Sequence, residues 1–120
     1  MKIRMKSNSL RLRLNQVEVN SFCQNGIISE QINFPNGTFN YILKSAPIKL
    51  ITVQIDSSSI EICLPDSDKE VWQKPDQVGF SHNIPLDKNQ KLSVTIEKDF
   101  KCLDERDEDE SDNYPNPKTL

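Results

Sequence analysis

The sequence predicts an α+β domain: a mainly antiparallel sheet, or a small barrel, of about eight short strands in hairpins, with two short helices. Three observations carry that reading. The 120 residues include 12 Ile and 6 Val against a single Ala, a balance suited to pleated, half-buried surfaces rather than long helices. Alternating apolar segments are divided by short polar turn signals at Asn8-Ser9, Asn36-Gly37 and Ser57-Ser58. Two stretches have the spacing of a helix capping box, Asn15 to Glu18 and Ser67 to Glu70, and both open runs of only a few turns.

The elements follow in chain order. In KIRMKSNSLRLRL the apolar positions are odd at Ile3 and Met5, then even at Leu10, Leu12 and Leu14. A tight turn at Ser7-Asn8-Ser9 accounts for that change of phase. With Asn8-Ser9 as the turn, Met5 faces Leu12 and Ile3 faces Leu14, while Lys6 opposes Arg11 and Arg4 opposes Arg13 on the other side of the ribbon. Like charges so placed repel by a few tenths to about 1 kcal/mol, so this side wants an anionic counterpart or open water.

A short helix begins at Asn15, carries Val19, Phe22 and Cys23 on one face, and ends at Asn25-Gly26. A hairpin about Asn36-Gly37 sets Phe34 against Phe39 and Ile32 against Tyr41. One about Ser57-Ser58 sets Ile55 against Ile60, Val53 against Ile62 and Ile51 against Leu64, and turns Cys63 to the opposite side with Thr52, Gln54 and Glu61. Pro65 ends that strand. A second helix starts at Ser67, carries Val71 and Trp72, and stops before Pro75. The last hairpin joins about Val78–Ile84 to Leu92–Lys98, with Leu92, Val94 and Ile96 turned inward. No repeat of 20 to 50 residues is visible in the sequence.

Forty of the 42 apolar residues lie before Asp104, so residues 1–103 form one domain and 104–120 an acidic, proline-containing segment. Charge is distributed in the same way. The first 14 residues carry five cations and no acid, and residues 104–120 carry seven acids against Arg106 and Lys118. Such an acidic segment is a candidate to pack back on the domain, anchored by Tyr114. There is no secretory signal, and no run approaches the ~20 apolar residues of a membrane span, so a cytoplasmic protein without a membrane partner is expected. Three widely spaced cysteines, Cys23, Cys63 and Cys102, fit reduced thiols better than a disulfide framework.

The chemistry-bearing patterns are sparse. Cys102 follows Lys98 and Lys101, which favour a thiolate, and His82 is the only histidine that could serve it as a base. Nothing in the spacing brings them together. Cys23, Cys63, His82 and Cys102 stand singly rather than in the close pairs a zinc site uses. Asp107, Asp109 and Ser111 have the first offsets of an EF-hand loop, but Asp112 stands where Gly is required and Lys118 where Glu is, so no metal site is assigned. With three Gly in the chain there is no phosphate-binding glycine loop, and no cofactor is expected. The basic ribbon lacks aromatics, and the isoelectric point near 5.1 opposes nonspecific attraction to a polyanion, so nucleic acid is a disfavoured partner.

Taken together, KIRMKSNSLRLRL, the Trp72 to Phe80 stretch, EKDFKCLD at Glu97 to Asp104 and DESDNYPNP at Asp109 to Pro117 resemble a family of short bacterial proteins with a domain of unknown function. The resemblance spans essentially the whole chain. It implies a small cytoplasmic bacterial protein and no particular activity, and it makes Asp112, Tyr114, Pro115, Asn116 and Pro117 part of the fold or its site. The expected function is a non-catalytic module that binds a protein or a small anion, with the cationic ribbon partly neutralised by the chain's own acidic segment and with Arg4, Lys6, Arg11, Arg13, Asp112 and Tyr114 as the candidate binding residues. The alternatives are a thiol-dependent enzyme or redox protein using Cys102, and a nucleic-acid or phosphate binder using the basic ribbon.

Overall fold

The computed structural model describes residues 1–100, which form an α+β fold of eight strands in two mixed sheets with two helices. The elements are β1 (Lys2–Lys6), β2 (Ser9–Leu14), α1 (Gln16–Asn25), β3 (Ile27–Phe34), β4 (Gly37–Ala46), β5 (Thr52–Ile55), β6 (Ser59–Pro65), α2 (Asp66–Trp72), β7 (Gly79–Pro85) and β8 (Lys91–Lys98). The first sheet has the order β1-β2-β8-β7 and the second β3-β4-β6-β5. Neither closes into a barrel. Each consists of two hairpins joined through their inner strands, β2 with β8 and β4 with β6, and both of these central pairings are parallel.

Local sequence explains most elements. Asn15 caps α1: its side chain accepts from the Glu18 N–H and the Glu18 carboxylate accepts from the Asn15 N–H, both at 2.9 Å, as the box spacing predicts. Gly26 ends the helix with φ +78, the left-handed conformation that favours glycine, and its N–H bonds to the Phe22 carbonyl. The expected capping box of α2 does not form. This helix starts one residue earlier, after Pro65, whose extended backbone launches it without a side-chain cap, and the acids Asp66 and Asp68 in its first turn favour the positive end of the helix dipole.

Two hairpin registers differ from expectation by two residues. The first turn is Ser7-Asn8, with Ser7 at φ +51, so Met5 faces Leu10, Ile3 faces Leu12, Arg4 faces Arg11 and Lys2 faces Arg13. The Ser9 hydroxyl stabilises this turn by donating to the Lys6 carbonyl at 2.6 Å. The β3–β4 turn is Pro35-Asn36, so Phe34 faces Gly37 and Ile32 faces Phe39. Proline's fixed φ and missing N–H suit a turn position better than a ladder position. Because each shift is of two residues, every side chain keeps its expected face. The β5–β6 register is as expected at Ile55–Ile60 and Val53–Ile62, while Ile51 lies one residue before β5, buried.

The inner sides of both sheets and the buried sides of both helices share one core, including Leu10, Leu12, Leu14, Leu43, Ile62, Leu64, Val94 and Ile96. At its centre Trp72 makes edge-to-face contacts with Phe22 and Phe80, each with centroids 5.9 Å apart, and donates its indole N–H to the Val78 carbonyl at 3.3 Å.

An internal repeat, invisible as sequence identity, emerges from this topology. The halves β1-β2-α1-β3-β4 and β5-β6-α2-β7-β8 have the same order of elements, and each half gives one hairpin to each sheet. The registers align Leu10, Leu12 and Leu14 with Ile60, Ile62 and Leu64, and Tyr41 and Leu43 with Val94 and Ile96. Continuing along the helices, Phe22 corresponds to Trp72, and these two rings touch. The expectation of no repeat is therefore corrected: the two halves share apolar pattern and topology across an offset of 50 to 53 positions.

Candidate anion-binding face

Alternation in the first sheet sends one set of side chains to the core and the other outward. The outward set forms rows across the strands: Lys2, Arg13 and Glu97; Arg4, Arg11, Thr95 and Ser81; Lys6, Ser9, Ser93 and Asn83. All five ribbon cations therefore lie on one face, as their spacing predicts. The structure adds their neighbours from β8. Parallel pairing of β8 with β2 brings Glu97 beside the basic ribbon, where Arg13 Nε lies 2.8 Å and Arg11 Nε 3.7 Å from the same carboxylate oxygen. Lys2 pairs with Asp99 at 2.9 Å, and this hydrogen bond holds the Asp99 carboxyl below its ordinary range.

The acids that pair with the ribbon among the described residues, Glu97 and Asp99, come from one end of the face. Among the described residues, no acid pairs with Arg4 or Lys6. A concavity of about 270 Å³ lies here, lined by Arg4, Lys6, Arg11, Ser9, Ser93 and Thr95 together with Leu10. Among the described residues, its lining holds three cations, three hydroxyls and no carboxylate. The Ser9 hydroxyl donates to the Lys6 carbonyl and the Ser93 hydroxyl to Asn83 Oδ1, which fixes two of the three lining hydroxyls. Asn8 Nδ2 donates to the Lys91 carbonyl at 2.6 Å and ties the β1–β2 turn to β8.

The internal repeat supplies a control for this face. At the positions equivalent to Arg4, Lys6 and Arg11, the second sheet carries Gln54, Asp56 and Glu61. The Arg11–Glu97 contact has its counterpart in Glu61–Lys44, an ion pair at the same place with the charges exchanged. Lys44 holds the Glu61 carboxyl below its ordinary range, against the opposing effect of burial. Thus the scaffold accepts either sign at these sites, and the concentration of cations on the first sheet is not something the fold demands.

A second polar cluster surrounds the chain start. The Met1 amine pairs with Glu18 and lies 3.6 Å from Glu30, and the Tyr41 hydroxyl donates to the Met1 carbonyl at 3.1 Å with Glu30 Oε2 3.3 Å away. Burial raises the Tyr41 hydroxyl above its ordinary range, with Glu30 adding to it. For Glu18 burial works against ionisation, but hydrogen bonds from the amine and Asn15 prevail and lower its carboxyl. The equivalent residues of the second half, Ile51, Asp68 and His82, line a concavity of about 250 Å³ with Lys49, Leu50, Phe80 and Ser81, and burial there pushes the Asp68 carboxyl up.

Sequence reasoning selected Arg4, Lys6, Arg11 and Arg13, and the structure brings them together on one face. It missed Ser9, Ser93 and Thr95. The outward direction of Ser93 and Thr95 was readable from their alternation with Leu92, Val94 and Ile96, but their position beside β2 was not. His82 lies on β7 opposite Val94. Its suggested partner Cys102, and the suggested contacts Asp112 and Tyr114, fall outside the described residues. Cys23 and Cys63 are free and half-buried, and burial raises both thiols above their ordinary range.

Fold and face together define an internally repeated, two-sheet α+β domain with one strongly basic outer surface. The chain belongs to a family of unknown function, DUF7009, whose model matches residues 1–118. No curated protein and no solved structure matches it.

Proposed function

We propose that this protein is a non-catalytic binding module of the bacterial cytoplasm, and that its basic outer face receives an anionic ligand or a carboxylate-bearing protein segment. The observation that supports this most directly is the unbalanced end of the face, where Arg4 opposes Arg11 and, among the described residues, neither Arg4 nor Lys6 has an acid partner. A like-charge cross-strand pair costs stability, so a bound anion supplies what the described residues do not. The free thiols Cys23 and Cys63 support a reducing compartment, and no helix among the described residues is long and apolar enough to cross a membrane. The outward rows contain no aromatic side chain for base stacking, which weighs against a single-stranded nucleic acid as the ligand.

The test is a salt titration of binding between the full chain and a fluorescent oligo-glutamate peptide. Binding that weakens steeply between ~20 and ~300 mM salt and is lost in Arg4→Gln supports the reading. Salt-independent binding, or none to this peptide and none to small anions, rejects it.

A further inference from the structure

Resting on that reading and narrowing it, we propose that the Arg4–Lys6–Arg11 concavity is a site for the phosphate group of a small, soluble phosphomonoester. Four observations converge on this ligand class. First, the charge is suited to an anion: among the described residues three cations line the concavity and no acid does, Arg4 and Lys6 have no acid partner, and Arg11 has only the longer share, at 3.7 Å, of the carboxylate that Arg13 holds at 2.8 Å. Second, the donors match a tetrahedral group. Arg4 and Arg11 stand directly opposite each other on adjacent strands, so two planar guanidinium forks approach from one side. A carboxylate has two oxygens and satisfies one such fork. A phosphate monoester has three terminal oxygens, all acceptors, enough to engage both forks and Lys6.

Third, the hydroxyls of Ser9, Ser93 and Thr95 complete the lining. The Thr95 hydroxyl has no hydrogen-bond partner among the described residues, which leaves it available to donate to a phosphate oxygen. Fourth, the equivalent place on the second sheet carries Gln54, Asp56 and Glu61, with Asn40 and Ile42 where the first has Ser93 and Thr95. One scaffold therefore offers an anion-receptive and an anion-repelling version of the same surface. The volume of about 270 Å³ exceeds that of a bare phosphate group and leaves room for a short organic substituent. The outward rows hold neither aromatics to stack a base nor apolar side chains to enter a bilayer, and this favours a free metabolite over the phosphate of a nucleic acid or a lipid headgroup.

The experiment is an amide NMR titration of the full chain with inorganic phosphate and with glycerol phosphate at constant ionic strength. Parallel arms use a single-stranded oligonucleotide, phosphatidylglycerol vesicles and oligo-glutamate. The expected result is saturable, one-to-one shifts at Arg4, Ser9, Arg11 and Thr95 with both small phosphates, weakened at least about tenfold in Arg4→Gln and in Lys6→Gln and unchanged in Gln54→Ala. Using two variants on the exposed edge strand keeps the test valid if one of them folds poorly. Absence of saturation by ~10 mM phosphate overturns the proposal, as does saturation confined to the oligonucleotide or the vesicles. If oligo-glutamate alone binds in a salt-dependent way, the phosphate site falls and the wider anion-binding reading stands. If no arm binds, both fall.

Discussion

Replacing Arg4 by glutamate separates stability from binding at this face. In the native register Arg4 lies directly across from Arg11, and no acid pairs with Arg4 among the described residues. The substitution converts a repulsive cross-strand pair into an attractive one. Each sign of such a pair is worth roughly 0.2–1 kcal/mol, so the change should stabilise the domain by about 1 kcal/mol at low ionic strength. For a domain of this size that is a rise in melting temperature of about 4–8 °C. Arg4→Gln, which removes the repulsion without adding attraction, should gain about half as much. The assay is thermal unfolding by circular dichroism at ~20 mM and ~1 M sodium chloride, since at the higher salt the screening length falls to about 3 Å and the gain should largely vanish. Anion binding should be lost in the same variant. A stabilised protein that no longer binds is the signature of a site retained for function at a cost to folding. If Arg4→Glu melts at or below the wild-type temperature at low salt, or if its gain is insensitive to salt, the reasoning about this pair is wrong.

Three further outcomes follow from the structure. Trp72→Ala removes the fully buried centre of the Phe22–Trp72–Phe80 cluster and should cost about 3–5 kcal/mol in urea unfolding, whereas Trp72→Phe should keep part of the ring packing and cost less than half of that; equal losses would deny Trp72 a central packing role. Glu18, Asp56, Glu61 and Asp99 have folded-state carboxyls lowered below their ordinary range, so the stability they contribute is complete above about pH 5 and declines as pH falls through their folded values. Asp68 is raised and acts in the opposite sense, so urea midpoints should hold level from pH 7 to about 5 and then fall, and a rise toward pH 4 would show Asp68 to dominate. On the second sheet, Lys44→Glu and Glu61→Lys should each destabilise alone, and the double exchange should recover the loss in a double-mutant cycle; additive losses would disprove the cross-strand pairing.

What could be read in the sequence was local. The α1 capping box and Gly26 stop are satisfied by residues within a turn of each other, so spacing alone placed them. The facing direction of every ribbon cation followed from alternation, which tolerates a register error of two residues. The registers themselves were ambiguous because Ser7, Asn8 and Ser9 are all competent turn residues, and because Asn36-Gly37 is a strong turn signal that Pro35 overrides. The parallel joins β2·β8 and β4·β6 connect residues far apart in the chain, and no local signal encodes them. Since the concavity is built across the β2·β8 join, two of its seven described lining residues were unreadable for the same reason: Arg4, Lys6 and Arg11 could be proposed from the sequence, but not the β8 hydroxyls of Ser93 and Thr95 that complete the site.

The repeat went unseen for a different reason, and that reason bears on function. Leu10, Leu12 and Leu14 correspond to Ile60, Ile62 and Leu64 because both sets fill equivalent positions of a shared core, and core packing tolerates exchange among branched apolar side chains of similar volume. Outward positions carry no such constraint, and there the halves have diverged to opposite charge: Lys6 against Asp56, Arg11 against Glu61, Glu97 against Lys44. A sheet of this design therefore holds together with either sign outside. Exchanging both partners, as at Arg11–Glu97 and Glu61–Lys44, leaves the local pairing energy nearly unchanged. Arg4 breaks that balance. Its counterpart Gln54 is neutral, its cross-strand neighbour is another arginine, and no acid pairs with it among the described residues. Of the charge differences between the halves, the one at Arg4 makes folding harder without a compensating pair in the sheet, and the concavity beside it is where an external anion would supply that pair.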